Sequence, residues 1–370
     1  AAFAQNVKKG RVVDVKVHGR SLEGNLEGEP ADVSVSIYLP PSYDTDTSRR
    51  YPVVYLLHGY GLTNGYWVGG RGSFTSIDVP GSMDGDIASG KGKEMILVMP
   101  NADTKYGGSM YSSSTVIGDW ESFIADDLVS YVDGHYRTLA DRESRGLAGH
   151  SMGGYGTIRI GMKRPDVFSS LYIMSACCLM NNPSARRAGA APTRNGAPSA
   201  NARTTSAARP AGGQDSGAQG GAARGGAGRN GARSGAPRNG AGRAAGGLFA
   251  NVLKAEAAAW SPDPKNAPTY YDLPGGKDAA LVAAKWEANS PLAMIDQYIF
   301  NLKKYNAIGM DVGNMDSLMG SNEQLANVLG AYGIDHSFEI YEGTHANHVA
   351  QRIEQKVIPF FSEHLQFGAR

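Results

Sequence analysis

The amino-acid sequence predicts an α/β protein with a doubly wound, mostly parallel β-sheet and antiparallel strands near its amino terminus. Three observations lead to this fold class. Continuous apolar runs at 51–57 and 95–100 are typical of strands that are covered on both faces of a parallel sheet. Segments 12–17 and 33–39 alternate apolar and polar residues, as antiparallel strands do. Residues 123–132 have helical periodicity, and similar segments separate the later strands.

Strands and helices continue to alternate through the second part of the chain. The elements predicted there are strands at 143–148, 169–174, 307–311 and 337–341, and helices at 154–162, 322–332 and around 357–361. No internal repeat interrupts this order. Regular alternation of this kind specifies a doubly wound sheet.

The composition is that of a globular protein. The 370 residues include 41% hydrophobic side chains and carry a formal net charge of +1. We expect no transmembrane span, because no run of eighteen apolar residues occurs. The two cysteines, Cys177 and Cys178, are adjacent, and neighbouring cysteines rarely satisfy disulfide geometry. They are expected to be small buried side chains, and neither a metal site nor a nucleic-acid partner is expected.

Residues 184–247 differ from the rest of the chain. They contain no aliphatic residue larger than alanine and no aromatic residue, and they hold ten arginines and one aspartate, so their charge is +9 and the remainder is near −8. Such a segment has nothing to bury, and we expect it to be a disordered insertion in one catalytic domain made of 5–183 and 248–368. A tolerated loop expansion is the favoured interpretation. A basic arm that binds an anionic polymer or membrane surface is the alternative.

The first residues carry a weaker signal. Ala2-Phe3-Ala4 has the small-x-small form of a signal-peptidase site and is followed by Gln5. This pattern favours an exported protein, either secreted or periplasmic. An arbitrary start of the chain is the alternative interpretation.

The most informative motif is Gly-His-Ser-Met-Gly at 149–153. It lies between a predicted strand and a predicted helix, which is the context of a nucleophile elbow. Small residues two before and two after the serine are needed there, because the serine backbone is strained and its neighbours pack closely. Ser151 is therefore the candidate nucleophile.

A serine nucleophile needs a histidine base and a carboxylate that orients it. Asp316 follows the strand that ends near 311, and His345 follows the strand that ends at 341, so loops at the carboxyl edge of the sheet carry both. Asp311 competes for the role of the acid, but it falls within the strand. His348 competes for the role of the base, but only His345 directly follows the strand-end glycine and threonine.

The oxyanion of an acyl-transfer intermediate needs two backbone N–H donors. Met152, the residue after the nucleophile, is predicted to supply one of them. The loop after strand 51–57 has the sequence His-Gly-Tyr-Gly at 58–61, and its glycines let the backbone approach a substrate. Tyr60 is the preferred second donor, and Gly61 is the alternative.

Taken together, these motifs resemble the esterase D family of α/β-hydrolases, which includes feruloyl and acetyl esterases, S-formylglutathione hydrolases, enterochelin esterases and mycolyltransferases. The resemblance covers most of 10–182 and 286–365. It implies an α/β-hydrolase fold and a serine esterase without metal or organic cofactor, with the five site residues named above in their predicted roles. The motifs that carry it are 37–43, 51–59, Gly-Asp-Trp-Glu at 118–121, His-Tyr-Arg-Thr at 135–138, 149–156, Asn-Ser-Pro at 289–291, 313–316 and Gly-Thr-His at 343–345.

The chain departs from the family pattern at the insertion. Asp316 lies 165 residues after Ser151, and removal of the 64-residue segment leaves 101, close to the separation in the family. The insertion therefore resembles a loop expansion within one domain. Because the family connection at this place often helps to form the rim of the substrate cleft, the insertion bears on the shape of that rim.

Several aromatic residues could form a flat wall beside the site, suited to a phenolic or sugar ring. Core or rim packing is the alternative for them. The residues are Tyr60, Trp67, Tyr111, Trp120 and Tyr155.

The expected substrates are small-molecule or polysaccharide-linked esters, above all feruloyl or acetyl esters of plant polysaccharides. Three alternatives stay open. They are acyl transfer of the mycolyltransferase type, S-formylglutathione hydrolysis, and a non-catalytic polymer-binding protein that uses the basic insertion.

Overall fold

The computed structural model describes residues 8–69, 77–180 and 241–368, and for 241–250 it describes the backbone alone. Eight strands in this part of the chain form one twisted sheet. They are β1 (Arg11–His18), β2 (Asp32–Leu39), β3 (Val53–Leu57), β4 (Ile96–Pro100), β7 (Arg145–His150), β8 (Ser170–Met174), β9 (Ala307–Gly313) and β10 (Ser337–Tyr341). Two short strands, β5 (Ser113–Ser114) and β6 (Gly118–Asp119), pair separately.

The order of the strands in the sheet is β1-β2-β4-β3-β7-β8-β9-β10. The pairs β1–β2 and β2–β4 are antiparallel, and all pairs from β4 to β10 are parallel. The predicted mostly parallel sheet with antiparallel strands at its amino-terminal edge is therefore confirmed. Parallel strands end at one edge of the sheet, so the loops after β3, β7, β8, β9 and β10 converge there.

Helices cover both faces of the sheet. They are α1 (Val79–Ser89), α2 (Leu128–His135), α3 (Met152–Lys163), α4 (Ala241–Trp260), α5 (Ala279–Glu287), α6 (Pro291–Leu302), α7 (Met319–Ala331) and α8 (Ile358–His364). Helix α2 is preceded by a helical turn at Trp120–Ser122 and a π segment at Phe123–Asp127. Helix α8 is preceded by a helical turn at Val349–Arg352 and a π segment at Ile353–Val357. Short 3₁₀ turns lie at Arg20–Leu22, Asn64–Trp67 and Arg142–Ser144. No helix of the described residues is long and apolar enough to cross a membrane.

Alternate residues of each buried strand face two different apolar layers, as the period of two in a strand requires. In β3, Val53, Tyr55 and Leu57 pack into the larger layer with α2, α3, α6 and α7. Val54 and Leu56 face the smaller layer, where α1 and α8 pack. This double coverage explains why the strand appears in the sequence as an unbroken apolar run.

The structure differs from the sequence-based expectations in a few elements. Residues 143–144 belong to a 3₁₀ turn rather than to the strand, because the Asp141 carboxylate accepts the Glu143 N–H at 2.9 Å and starts that turn. Helix α4 begins at Ala241, so residues 241–247 are helical and not part of an unstructured insertion. Alanine favours a helix that continues from the buried stretch 255–260. Residues 184–240 of the predicted insertion lie outside the described residues.

Candidate active site

The chain turns sharply at Ser151, between β7 and α3. Ser151 caps α3 with φ 59° and ψ −114°, a backbone conformation that costs free energy in any residue with a Cβ atom. Its N–H donates to the Met174 carbonyl at 3.0 Å, which ties the turn to β8. A methyl group on Gly149 would overlap the Gly153 carbonyl, and one on Gly153 would overlap the Leu57 carbonyl. The sequence therefore uses glycine at both positions to permit the elbow.

Two loops at the same sheet edge bring a carboxylate and an imidazole to this turn. The parallel neighbours β9 and β10 end at Gly313 and Tyr341. Their loops pass so closely that a methyl group on Gly313 would overlap the Gly343 carbonyl. The first loop carries Asp316 and the second carries His345, as the sequence predicts.

Ser151, His345 and Asp316 form a continuous chain of two hydrogen bonds. His345 Nδ1 lies 2.7 Å from Asp316 Oδ2, and His345 Nε2 lies 2.9 Å from Ser151 Oγ. An ionised carboxylate can only accept, so Nδ1–H donates to Asp316 and the bare Nε2 accepts from the serine hydroxyl. The side chain of Asp316 is fully buried and that of His345 is 38% exposed. The buried carboxylate of Asp316 therefore orients the His345 ring, and part of that ring is accessible from solvent.

Asp316 keeps its negative charge at neutral pH. Burial raises the pKa of this carboxyl group, but the hydrogen bond and the charge of His345 lower it more, so that the pKa lies below its ordinary value. The Leu318 N–H adds to this effect, because it donates to Asp316 Oδ1 at 2.9 Å. Both carboxylate oxygens are thus engaged, one by the base and one by its own loop.

The competing acid and base lie elsewhere. Asp311 is 1% exposed and its Oδ2 accepts from Arg352 Nε at 2.8 Å and from the Tyr172 hydroxyl at 3.0 Å. It belongs to a buried ion pair and not to the chain that reaches the serine. The ring of His348 packs against Tyr341, with 6.3 Å between the ring centroids.

The loop after β3 runs beside the nucleophile. A Cβ on Gly59 would lie 3.3 Å from the Cβ of Ser151. The Gly61 N–H donates to the Gly107 carbonyl at 2.8 Å, which removes it as a free donor. Within the described residues, no hydrogen bond engages the N–H of Tyr60 or of Met152. Of the two donors considered in this loop, only that of Tyr60 is free.

Sequence reasoning missed a histidine that supports this loop. His58 is fully buried, its Nδ1–H donates to the Gly59 carbonyl at 2.8 Å, and its Nε2 accepts the Ala102 N–H at 2.8 Å. Burial lowers the pKa of His58 to about 4, so the ring is neutral and can both donate and accept. It joins the loops after β3 and β4. The available signal was a histidine immediately after a buried strand and before a glycine.

A family model described as "Putative esterase" matches residues 29–351. This match covers most of the chain and includes every element of the site. The chain belongs to the Esterase family. This match confirms the expected esterase family and, with it, a carboxylic ester hydrolase.

Curated relatives of this esterase are much longer proteins. It is 30% identical over 181 residues to an endo-1,4-beta-xylanase/feruloyl esterase of Xylanibacter ruminicola, a match that covers 47% of the chain and 23% of that relative. It is 34% identical over 140 residues to an esterase of Mycobacterium tuberculosis, which covers 37% of the chain and 27% of the relative. The chain thus spans about a quarter of the length of these relatives.

Solved structures share the fold over nearly the whole length of this esterase. A ferulic acid esterase superposes with a TM-score of 0.59 at 20% identity, covering 97% of this chain and 99% of that one. An S-formylglutathione hydrolase from Staphylococcus aureus superposes with a TM-score of 0.55 at 14% identity, covering 96% and 99%. These similarities confirm the predicted α/β-hydrolase fold.

The expected aromatic wall is not an exposed surface in this esterase. Trp67, Tyr111 and Tyr155 are 0% exposed and Trp120 is 3% exposed. The Tyr111 hydroxyl donates to the His58 carbonyl, the Tyr155 hydroxyl donates to the Asn289 carbonyl, and the Trp120 indole N–H donates to the Ile117 carbonyl. Trp67, Trp120 and Tyr155 are therefore corrected from substrate contacts to packing residues, because large rings that follow strands fill the layers beneath the sheet edge.

Tyr60 is the only one of the five proposed aromatic residues whose side chain is partly exposed. Its hydroxyl donates to the Tyr106 carbonyl, which fixes the ring beside the loop after β3. Metal binding has no candidate here, because the part of the chain that the structure describes holds no group of three or more His, Cys, Asp or Glu side chains placed around a common point.

Proposed function

We propose that the chain is a serine carboxylesterase in which Ser151 is the nucleophile, His345 the general base and Asp316 the orienting acid. The observation that carries this proposal is the chain of hydrogen bonds from Asp316 Oδ2 through His345 to Ser151 Oγ, at 2.7 and 2.9 Å. As the hydroxyl oxygen attacks the ester carbonyl carbon, Nε2 takes its proton. The imidazolium that results is stabilised by the buried carboxylate at Nδ1.

The negative charge that develops on the carbonyl oxygen needs donors already in position. The free N–H groups of Tyr60 and Met152 flank Ser151 and are proposed to bind this oxyanion. Met152 begins helix α3, so its N–H is one of the unpaired groups at a helix amino terminus, where the helix dipole favours negative charge. Loss of one such donor costs about 3 kcal/mol of barrier.

The reaction then proceeds through an acyl-enzyme. The imidazolium gives its proton to the leaving alcohol, the C–O bond of the ester breaks, and the acyl group stays on Ser151. Water takes the place of the alcohol, loses its proton to His345 and attacks the acyl carbon. The acid leaves, and the serine regains its proton.

The proposed substrates are feruloyl or acetyl esters of plant polysaccharides, or related aryl esters. Support comes from two proteins that are named feruloyl or ferulic acid esterases, the relative from Xylanibacter ruminicola and the structural neighbour with a TM-score of 0.59. Such substrates lie outside the cell, so the proposal includes a secreted or periplasmic location. It also includes one catalytic domain made of 5–183 and 248–368, with most of its insertion outside the described residues.

The test is a panel of p-nitrophenyl and methyl hydroxycinnamate esters, hydrolysed by the unaltered chain and by Ser151→Ala. We expect turnover that the substitution reduces by at least about a thousandfold, the scale at which loss of a triad residue acts. Full turnover by Ser151→Ala would refute the serine mechanism. Added acceptor alcohol distinguishes hydrolysis from acyl transfer, because a transferase would give mainly the new ester.

A further inference from the structure

His150 lies between Gly149 and the proposed nucleophile, at the variable position of the elbow motif. It ends β7 and is 4% exposed. An apolar side chain would serve this position if packing were its only role, because burying a ring nitrogen costs free energy unless the nitrogen makes a hydrogen bond. The contacts of the ring therefore indicate what the histidine does.

The ring makes one polar contact in the described part of the chain, and that contact is to the residue that carries the base. His150 Nε2 lies 2.8 Å from the backbone carbonyl oxygen of His345. A carbonyl oxygen accepts, so Nε2 carries the hydrogen. The two rings are also in contact, with centroids 4.8 Å apart and planes inclined by 37°.

The protonation state of His150 agrees with this role. Burial, together with the neighbouring His345, lowers the pKa of His150 to about 3, so the ring is neutral throughout the working range of an esterase. With the hydrogen on Nε2, Nδ1 is a bare acceptor, and it is buried without a hydrogen-bond partner among the described residues. A neutral ring adds no positive charge beside the imidazolium that forms on His345 during catalysis.

Other hydrogen bonds hold the backbone of the loop just before the base, at residues 343 and 344. The Gly343 N–H donates to Asn314 Oδ1 at 3.1 Å, and the Thr344 N–H donates to Asn347 Oδ1 at 2.8 Å. At residue 345 the backbone is tied to the elbow by His150. His150 is bonded covalently to Ser151, so this hydrogen bond ties the backbone of the base directly to the segment that carries the nucleophile.

We propose that His150 is a positioning residue, which fixes the backbone of His345 relative to Ser151 through its Nε2–H donor. The inference rests on the proposed serine mechanism and adds a residue that positions its base. His150 does not touch the reacting atoms. It acts through His345, by holding Nε2 of that ring within reach of the serine hydroxyl.

Two amide substitutions separate the donor from the bulk of the ring. In His150→Gln the amide nitrogen is as many bonds from Cβ as Nε2 of histidine is, so it can donate to the His345 carbonyl. In His150→Asn the amide nitrogen is one bond closer and falls short. Both variants keep a neutral polar side chain, so His150→Asn is the matched control for burying an amide.

We expect His150→Gln to keep kcat/KM within about threefold and His150→Asn to lose about tenfold or more, mainly in kcat, because one hydrogen bond is lost. The rate at which a fluorophosphonate probe labels the serine should follow the same order, and the melting temperatures are measured for both variants. Equal kcat/KM in two folded variants would overturn the proposal. A large loss of kcat/KM in a folded His150→Gln protein would also overturn the proposal, and this result is informative even if His150→Asn does not fold. Activity that survives Ser151→Ala would instead refute the serine mechanism.

Discussion

The substitution Asp316→Asn probes the electrostatics of the site most sharply, because both oxygens of this carboxylate already have fixed donors. Oδ2 accepts from His345 Nδ1 at 2.7 Å, and Oδ1 accepts the Leu318 N–H at 2.9 Å. An amide offers one oxygen and one NH₂ group in the same volume. It can therefore satisfy only one of these two donors.

The contacts around residue 316 determine which of the two orientations of the amide is more stable. If the amide oxygen faced His345, its NH₂ group would oppose the Leu318 N–H, and an unsatisfied donor there costs about 1–3 kcal/mol. If the oxygen faced Leu318, the NH₂ group would donate to His345 Nδ1 and move the ring hydrogen to Nε2. The second arrangement avoids the clash and leaves the base unable to accept the proton of Ser151. We expect kcat to fall by about a thousandfold to ten-thousandfold with little change in KM.

The assay is steady-state hydrolysis of p-nitrophenyl acetate, with the melting temperature recorded for each protein. Asp311→Asn is the matched control, since it removes a buried carboxylate that pairs with Arg352 and not with the base. We expect the control to lower the melting temperature and to keep kcat/KM within about threefold. A loss of less than tenfold in Asp316→Asn, or an equal loss in both variants, would show that Asp316 does not set the tautomer of His345.

Three further predictions test other parts of the account. Gly153→Ala should abolish activity or folding, because its methyl group would overlap the Leu57 carbonyl. The control Gly134→Ala has open space at its Cβ and should leave kcat/KM unchanged. Similar activity in both variants would contradict the elbow geometry. Because the pKa of His58 is lowered from 6.5 to about 4, the unfolded chain binds this proton first, and His58 should account for about 3 kcal/mol of the fall in the free energy of unfolding by urea between pH 6.5 and pH 4. His150, whose pKa is lowered to about 3, adds a fall of its own, so the measurement is a difference: the fall should be smaller by about 3 kcal/mol in His58→Gln, and equal slopes would contradict the prediction. Tyr155→Phe should lower the melting temperature, because it removes a buried hydrogen bond, and should leave KM for aryl esters within about twofold. A large rise in KM would instead indicate that Tyr155 contacts the substrate.

The sequence predicts the sheet well because its central strands are buried on both faces and appear as unbroken apolar runs. The boundaries of β10, at Ser337–Tyr341, match the prediction in full. The candidate site follows from the same property, since neighbouring parallel strands end at one edge and carry Asp316 and His345 in the loops that follow. The elbow is predictable because its steric demands require glycine at fixed positions.

What the sequence could not predict depends on contacts between distant segments. Helices α1, α4, α5 and α6 were not among the predicted elements. In α1 and α5 the apolar residues do not form a clear stripe at helical spacing. The choice of Tyr60 over Gly61 depends on a hydrogen bond from Gly61 to Gly107, which is distant in the sequence. The aromatic residues could not be divided into wall and core, because a ring that follows a strand has the same local pattern in both cases.

If Ser151 carries the acyl group, rapid mixing with p-nitrophenyl acetate, followed by acid quench and peptide mass analysis, should trap the acyl-enzyme. We expect an early burst of about one p-nitrophenol per protein chain and an added acetyl group on the peptide that contains Ser151. Turnover without a burst, together with acetylation of a different residue, would contradict this expectation.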